Sequence, residues 1–211
     1  PMPHAILISH DHFDHLDYGT IKIIKEKVGR FIMPLGVGAH LLRWGVPPEK
    51  ITELDWWDET KLGTITINAT PSQHFSGRSI GSIKKTLWAS WVIQSPTAKV
   101  FFSGDTGYFS GFKTIGEKFG PFDLTLLDSG QYNKNWEIVH MFPEQSVVAH
   151  SELRGKVFMP IHWSAFTLAL HGWSEPAERA VAAAQKNAID MVTPMIGERF
   201  NIVTERPKKL W

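Results

Sequence analysis

A short polar segment near the start of the chain concentrates side chains of the kind that bind metal ions. Residues 9–17 read SHDHFDHLD, so that His10, His12, Asp14 and His15 form the pattern H-x-H-x-D-H. The segment directly follows an apolar run at 5–8, and α/β folds build their sites in loops at the carboxyl ends of such strands. Alternate residues of the loop can converge on one ion while His15 points elsewhere, so one loop could serve two metals. Neutral imidazole and carboxylate ligands suit Zn²⁺, and also iron or manganese.

Three more candidate ligands each follow a predicted strand further along the chain. His74 comes after the strand at 64–68, Asp105 after the strand at 99–103, and His162 after the strand at 157–161. Each is a weak signal alone, because a single histidine at a strand end is more often a core or surface residue. Four strand ends that each present a ligand are a stronger signal. Asp105 lies between two glycines and could bridge two cations about 3.5–4 Å apart.

Apolar runs of strand length alternate with segments of helical period, which predicts an α/β fold with a hairpin-rich centre. The predicted strands are 5–8, 31–33, 64–68, 88–94, 99–103, 124–127 and 157–161, and the predicted helices are 18–28, 37–44, 112–119, 144–153 and 176–188.

Composition limits the class of protein. The 211 residues carry 22 basic and 21 acidic side chains, and this near-neutral charge argues against nucleic acid as a partner. There is no cysteine, which excludes disulfides, cysteine-bound zinc and thiol nucleophiles. No apolar run reaches the length of a membrane span. We expect one domain over 1–211 and a cytoplasmic location, with membrane association left open.

Several segments resemble one family. The chain is similar to the metallo-β-lactamase superfamily, and within it to the branch of N-acyl-phosphatidylethanolamine-hydrolysing phospholipase D and its bacterial relatives. The H-x-H-x-D-H pattern is shared across the superfamily, whereas HM-x-PE and IHW-x-x-F are specific to this branch. The resemblance implies an αββα four-layer sandwich. The matching segments are SHDHFDHLD (9–17), PSQH (71–74), FFSGDTGY (101–108), HMFPE (140–144), PIHWSAFTLALHGWSEP (160–176) and PMIGE (194–198).

The resemblance also implies a ligand set for two divalent ions, Zn²⁺ first, with Mn²⁺ and Fe²⁺ as alternatives. One ion would be held by His10, His12 and His74, and the other by Asp14, His15 and His162. Asp105 would bridge them. A hydroxide between the two metals would then attack the phosphorus of a phosphodiester.

The same resemblance suggests residues around the metals. Asp14 and His140 are the candidate catalytic residues, with His140 as a substrate contact or proton donor; the alternative for His140 is a surface residue beside a helix. Tyr108, Trp163, Phe166 and His171 are candidate residues of a substrate pocket for an apolar acyl group. For the three that follow His162, packing in the core is an equally good interpretation.

Two features depart from the family pattern. Superfamily members place two or more strands before H-x-H-x-D-H, but only about five residues precede the motif's strand here, so we expect the N-terminal strands to be missing from this chain. The second feature is Asp128, in LLDSG, because relatives of this branch tend to be less acidic at this position. Asp128 could reshape the pocket or add a carboxylate behind the metal ligands.

The leading functional hypothesis is a dinuclear metal-dependent hydrolase, a phosphodiesterase of phospholipase D type that acts on a small-molecule or lipid phosphodiester. Peripheral membrane contact and a homo-oligomer are compatible with it. One alternative is a lactonase or cyclic-phosphodiester hydrolase that resembles ascorbate-6-phosphate lactonase. Another is a catalytically inactive metal-binding fragment.

Overall fold

The chain folds into two β-sheets that pack face to face between two groups of helices, as seen in a computed structural model that describes residues 3–202, 204–205 and 207. The strands are β1 Ala5–Leu7, β2 Arg30–Pro34, β3 Ile51–Leu54, β4 Glu59–Leu62, β5 Ile65–Thr70, β6 Ser90–Gln94, β7 Lys99–Phe102, β8 Phe122–Asp128 and β9 Gly155–Ile161. The α-helices are α1 Tyr18–Ile24, α2 Gly38–Arg43, α3 Gly111–Phe119, α4 Pro143–Glu152 and α5 Glu175–Lys186. Short 3₁₀ helices lie at Pro48–Lys50 and Ile80–Ser82.

The order of the layers follows from the directions in which successive side chains of a strand point. In β2, Phe31 and Met33 pack against α1 and α2, whereas Ile32 faces the other sheet. In β7, Phe101 joins the core beneath α3, α4 and α5, whereas Phe102 packs between the two sheets. Because successive side chains of a strand point to opposite faces, each sheet must be covered on both sides. The layers are therefore helices, small sheet, large sheet and helices, which confirms the predicted αββα sandwich.

Strand direction brings the predicted site residues to one edge. The small sheet is parallel in the order β1-β2-β3, and the large sheet runs in the order β4 to β9. In the large sheet, β6 is antiparallel to both β5 and β7, and β7, β8 and β9 are parallel to one another. It follows that β5, β7, β8 and β9 all point the same way, so the loops that follow them meet at the same edge.

Two strands are absent from the sequence-based prediction, and one helix ends four residues earlier than predicted. The prediction misses β3 and β4, which have few apolar residues. Helix α1 was expected over 18–28 but ends at Ile24, because the Lys27 amide donates to the Ile24 carbonyl in a tighter turn at 2.8 Å. Val28 still reaches the core after this turn. Asp17 caps the start of α1 by accepting a hydrogen bond from the Thr20 amide at 2.6 Å.

Within the part of the chain that the structure describes, every helix is too short or too polar to cross a membrane.

The buried histidine of α4 predicts a pH-dependent stability. His150 is 3% exposed, its Nδ1 lies 2.7 Å from the Thr125 hydroxyl, and burial lowers its pKa to about 4. The unfolded chain takes up a proton near the ordinary pKa of about 6.5, so the unfolded state binds more protons between these two pKa values. Stability therefore falls as the pH is lowered through this range. Through this residue we expect the free energy of unfolding to drop by about 2 kcal/mol from pH 7 to pH 5.

Denaturant unfolding at the two pH values measures this drop. His150→Asn should show a smaller drop than the wild type, whereas His4→Asn, which removes an exposed histidine, should leave the drop unchanged. Equal drops in the wild type and His150→Asn would contradict the assignment.

Candidate metal centre

The first group of candidate ligands joins three histidines from two loops to one carboxylate. His10 and His12 come from the loop after β1, His74 follows β5, and Asp105 follows β7. Nε2 of His10 lies 2.9 Å from Nδ1 of His12, which is 3.3 Å from Nε2 of His74. Oδ2 of Asp105 lies 3.7 Å from Nε2 of His10 and 3.8 Å from Nε2 of His74. One donor atom from each residue falls within 4.8 Å of all the others, the spacing of ligands around a single ion.

The second group shares that carboxylate. Nε2 of His15 lies 3.0 Å from Oδ2 of Asp105 and 3.2 Å from Oδ2 of Asp14. Nε2 of His162 lies 3.3 Å from Nε2 of His15 and 3.5 Å from Oδ2 of Asp14. These four residues also present donor atoms within 4.8 Å of one another. The structure thus brings together all seven of the predicted ligand residues, with Asp105 in both groups.

Asp105 provides a direct test of whether these residues fit a metal. Its side chain is 4% exposed, and its Oδ1 accepts no hydrogen bond although Nδ1 of His162 is 3.3 Å away. A buried carboxylate oxygen without a hydrogen bond is costly unless a cation balances its charge. The other oxygen, Oδ2, lies 3.7, 3.0 and 3.8 Å from Nε2 of His10, His15 and His74. Carboxylate and imidazole ligands form a donor set that Zn²⁺, Fe²⁺ and Mn²⁺ accept. The residues therefore fit a pair of divalent cations.

The pKa values of the imidazoles agree with this fit. Burial lowers the pKa of His10 well below its usual value, lowers that of His12, and lowers that of His74 to about 4. These three rings are therefore neutral at pH 7, which is the form that binds a metal. The second group behaves differently. Burial lowers the pKa of His15, but hydrogen bonds with Asp105 and Asp14 outweigh this effect and raise it to about 9. The same carboxylates that favour a proton there would favour a cation in its place.

Helix and loop contacts hold the metal-binding loop from outside. Asp11 is buried, and its side chain accepts hydrogen bonds from the Gly77 amide at 2.7 Å and from Nε2 of His40 at 3.1 Å. Arg78 donates to the carbonyls of Asp11 and Leu16 at 2.8 and 2.7 Å. Neither Asp11 nor Arg78 was predicted from the sequence as a functional residue. The position of Asp11 between two histidines of the motif is the sequence signal that could have drawn attention to it.

Asp128 and His140 lie beside the second group. Asp128 is the last residue of β8 and is 0% exposed. Its Oδ2 lies 2.8 Å from Nδ1 of His140, and its Oδ1 lies 3.3 Å from Nδ1 of His162. Burial lowers the pKa of His140, but the charge and the hydrogen bond of Asp128 outweigh it and raise the pKa. The ring of His140 is 5.1 Å from that of His74 and 5.3 Å from that of His162, so His140 borders the centre.

Two cavities beside the centre share Phe75 as a lining residue. One, of about 290 Å³, is lined by Phe75, Gln131, Trp136, Val139, His140 and Leu168. The other, of about 470 Å³, is lined by Gln73, His74, Phe75, Lys84, Ile138 and Val139. The Phe75 ring also packs against His12, with centroids 4.6 Å apart. A substrate in either cavity would therefore contact residues next to the candidate ligands.

The four candidate pocket residues lie in different places. Trp163 lines a third cavity of about 480 Å³ that His162 also borders. Phe166 is exposed, and its carbonyl accepts a hydrogen bond from Gln131. Gln131 also lines the cavity beside His140, so the backbone of Phe166 is hydrogen-bonded to a residue of that cavity.

His171 and Tyr108 point elsewhere. His171 stacks on Tyr132 at 4.3 Å and lines a separate cavity of about 400 Å³. Tyr108 donates from its hydroxyl to Glu152 at 2.8 Å and faces Phe112, so its side chain turns toward α3 and α4.

Comparisons with known proteins agree with the fold and the motif. A family model described as a beta-lactamase superfamily domain matches residues 1–163. An uncharacterized protein of Mycobacterium bovis is 45% identical over 205 residues, which cover 95% of this chain and 55% of that protein. N-acyl-phosphatidylethanolamine-hydrolyzing phospholipase D 1 of Caenorhabditis elegans is 32% identical over 174 residues, which cover 77% of this chain and 49% of that protein.

A solved structure shares the fold. The structure of a metallo hydrolase from the hyperthermophilic archaeon Ignicoccus hospitalis superposes with a TM-score of 0.73 at 22% identity, covering 92% of this chain and 77% of that one.

The chain therefore belongs to the metallo-β-lactamase superfamily. The predicted resemblance to the branch of N-acyl-phosphatidylethanolamine-hydrolysing phospholipase D is confirmed by the nematode relative. The chain spans about half the length of the curated relatives it matches.

Close backbone contact at one glycine yields a prediction about the site. A Cβ at Gly130 would lie 1.5 Å from the His162 carbonyl oxygen, so an alanine there must displace the chain that carries His162. We expect Gly130→Ala to lower the affinity for metal by at least about 10-fold and to destabilise the fold by about 1–3 kcal/mol or more. Metal content after dialysis and thermal unfolding measure the two effects. Gly81→Ala, with no atom within 4 Å of the new Cβ, is the control; a Gly130→Ala protein with unchanged metal content would refute the contact's role.

Proposed function

We propose that this chain is a dinuclear metal-dependent hydrolase that cleaves phosphodiesters in the manner of a phospholipase D. The observation that carries the proposal is the position of Asp105. This single buried carboxylate lies between two groups of ligand residues and keeps one oxygen free of hydrogen bonds. Two-metal sites that hydrolyse phosphoesters use such a carboxylate to hold the cations about 3.5–4 Å apart.

The chain's own residues would supply the other parts of the reaction. When bound, the two cations would act as Lewis acids on the phosphoryl oxygens and lower the pKa of a water molecule. Hydrolysis would form a bond from phosphorus to a water oxygen, break the bond to the leaving alcohol and transfer one proton from the water to that alcohol. His140 borders both the centre and a cavity, so it can donate a proton to the leaving oxygen. Asp14 would hold His15 and His162 in place at the second metal.

A lipid substrate is supported by the surface around the cavities. Ile138 is 67% exposed and Leu168 is 55% exposed, and each lines one of the two cavities beside Phe75. Phe166 adds a further exposed ring. Acyl chains or a membrane surface would cover these apolar groups. Lys84 lines the cavity beside His74 and could pair with a phosphate. The nematode relative is named for hydrolysis of N-acyl-phosphatidylethanolamine, which makes that lipid the first substrate to test.

A second candidate is a lactonase or cyclic-phosphodiester hydrolase. The cavity beside His140 has a volume of about 290 Å³, which is at the small end for ligand pockets and would suit a compact substrate. The same metals and the same ligand residues would serve this reaction.

A substrate panel separates these possibilities. Purified chain of known metal content would be given N-acyl-phosphatidylethanolamine in vesicles, bis-p-nitrophenyl phosphate and a phosphorylated lactone. Turnover of the lipid with about two ions per chain supports the proposal, whereas turnover of the lactone alone supports the second candidate. Bound metal without any turnover would point to a catalytically inactive metal-binding fragment.

Removal of the bridging carboxylate should abolish the reaction. Asp105→Ala takes away a ligand of both cations at once, so we expect turnover to fall by at least about 100-fold and metal content to fall below two ions per chain. Steady-state kinetics and elemental analysis measure the two effects. Asp123→Ala is the matched control, because Asp123 is a surface carboxylate that pairs with Lys156 at 2.8 Å. Activity that survives in Asp105→Ala would disprove the bridging role.

A further inference from the structure

Asp128 contacts two histidines at once, and neither contact is assigned by the ligand set of the two metals. Its Oδ2 is 2.8 Å from Nδ1 of His140, and its Oδ1 is 3.3 Å from Nδ1 of His162. We propose that Asp128 is a positioning residue that fixes the orientation and tautomer of both rings, and so couples the second metal site to the catalytic histidine. The His140 part of this inference rests on the proposed function, whereas the His162 part rests on metal binding alone.

The acceptor character of a carboxylate explains the tautomers. An ionised Asp can only accept hydrogen bonds, so each imidazole must carry a proton on the Nδ1 that faces Asp128. In a neutral ring this leaves Nε2 with its lone pair free. Nε2 of His162 faces Asp14 and His15, where a metal ligand is needed. Ligand histidines are commonly held in this way by a carboxylate on the other ring nitrogen.

The hydrogen bond that His162 makes also supports the role of Asp128, because Nδ1 of His162 lies near two carboxylates. Nδ1 of His162 lies 3.3 Å from Oδ1 of Asp128 and also 3.3 Å from Oδ1 of Asp105. It hydrogen-bonds to Asp128, while Oδ1 of Asp105 accepts no hydrogen bond. By taking the N–H of His162, Asp128 leaves the Asp105 oxygen available to a cation.

The surrounding backbone holds Asp128 in a fixed position. Its own amide donates to the Ser103 hydroxyl at 2.9 Å, and its carbonyl accepts from the Ser146 hydroxyl at 2.6 Å. Asp128 also pairs with Ile161 in the register of β8 and β9, one residue before His162. The strands β7, β8 and β9 and the helix α4 are therefore joined at this residue, which suits a group that must orient others closely.

A third metal ion bound by Asp128, His140 and His162 is the competing interpretation, because their donor atoms also cluster within 4.8 Å. The Asp128 oxygens already accept further hydrogen bonds, from the Thr106 amide at 3.1 Å and from the Gly130 amide at 3.3 Å. Together with the two imidazoles these donors use the roughly four acceptor positions of a carboxylate. A cation would have to displace some of them.

Nitrogen NMR of the imidazole rings in the zinc-loaded wild-type protein tests the inference first. We expect His140 and His162 each to carry a hydrogen on Nδ1. If either Nδ1 lacks its hydrogen, the inference is wrong. This measurement needs no variant and no substrate.

The substitution Asp128→Asn tests the consequence, with Asp123→Asn on the same strand as the matched control. An amide can accept from only one of the two imidazoles, because its nitrogen donates. We expect chelator competition to show metal binding weakened by about 10–100-fold, kcat to fall with little change in KM, and the Nδ1 signal of one histidine to change. Unchanged metal affinity and unchanged Nδ1 signals in Asp128→Asn would overturn the inference.

Metal counting resolves the competing interpretation. A loaded wild-type protein with three ions and an Asp128→Asn variant with two would overturn the positioning role. Failure of the proposed function looks different: no phosphodiester would be turned over, yet both Nδ1 hydrogens and the affinity loss in Asp128→Asn would remain.

Discussion

One buried carboxylate determines the arrangement of this molecule's site. Asp105 is 4% exposed and lies within 4 Å of imidazole nitrogens from four histidines, among them His10, His15 and His162. Such a charge is costly inside a protein unless positive charge or hydrogen bonds compensate it. The loop that carries Asp105 depends on Gly104, whose φ of +58° and close approach to Ser9 exclude a side chain. At this edge of the sheets, the fold therefore surrounds the buried charge of Asp105 with imidazole rings.

The fold achieves this through strand direction. Because β5, β7, β8 and β9 run in the same sense, their following loops meet, and the loop after β1 approaches them from the second sheet. Two carboxylates then face Nδ1 of His162: Asp105, which also contacts candidate ligands of both groups, and Asp128, which also contacts His140. The candidate metal centre and the candidate proton donor are in this way parts of one hydrogen-bonded system.

Much of this arrangement could be predicted from the sequence, because the relevant signals are local. A ligand directly after an apolar strand is visible in the chain itself, and so the positions of His74, Asp105 and His162 were predictable. The strands β3 and β4 were not predictable in the same way. They read ITEL and ETKL, with few apolar residues, and they become strands only by pairing with β2 and β5.

The directions of individual side chains could not be predicted from the sequence either. Tyr108 follows Asp105 by three residues in a motif segment, but its side chain packs toward α4 because its hydroxyl finds Glu152 there. The double contact of Asp128 depends on the register between β8 and β9, which places Asp128 opposite Ile161. Neither fact can be read from spacing along the chain.

We propose that one carboxylate, Asp105, holds two cations between the two ligand groups. Anomalous scattering from crystals of the metal-loaded protein, collected at the absorption edge of the bound metal, tests it most directly. We expect two peaks about 3.5–4 Å apart, one among His10, His12 and His74 and the other among Asp14, His15 and His162, with Asp105 in contact with both. A single peak, or a peak that Asp105 does not touch, would contradict the proposal.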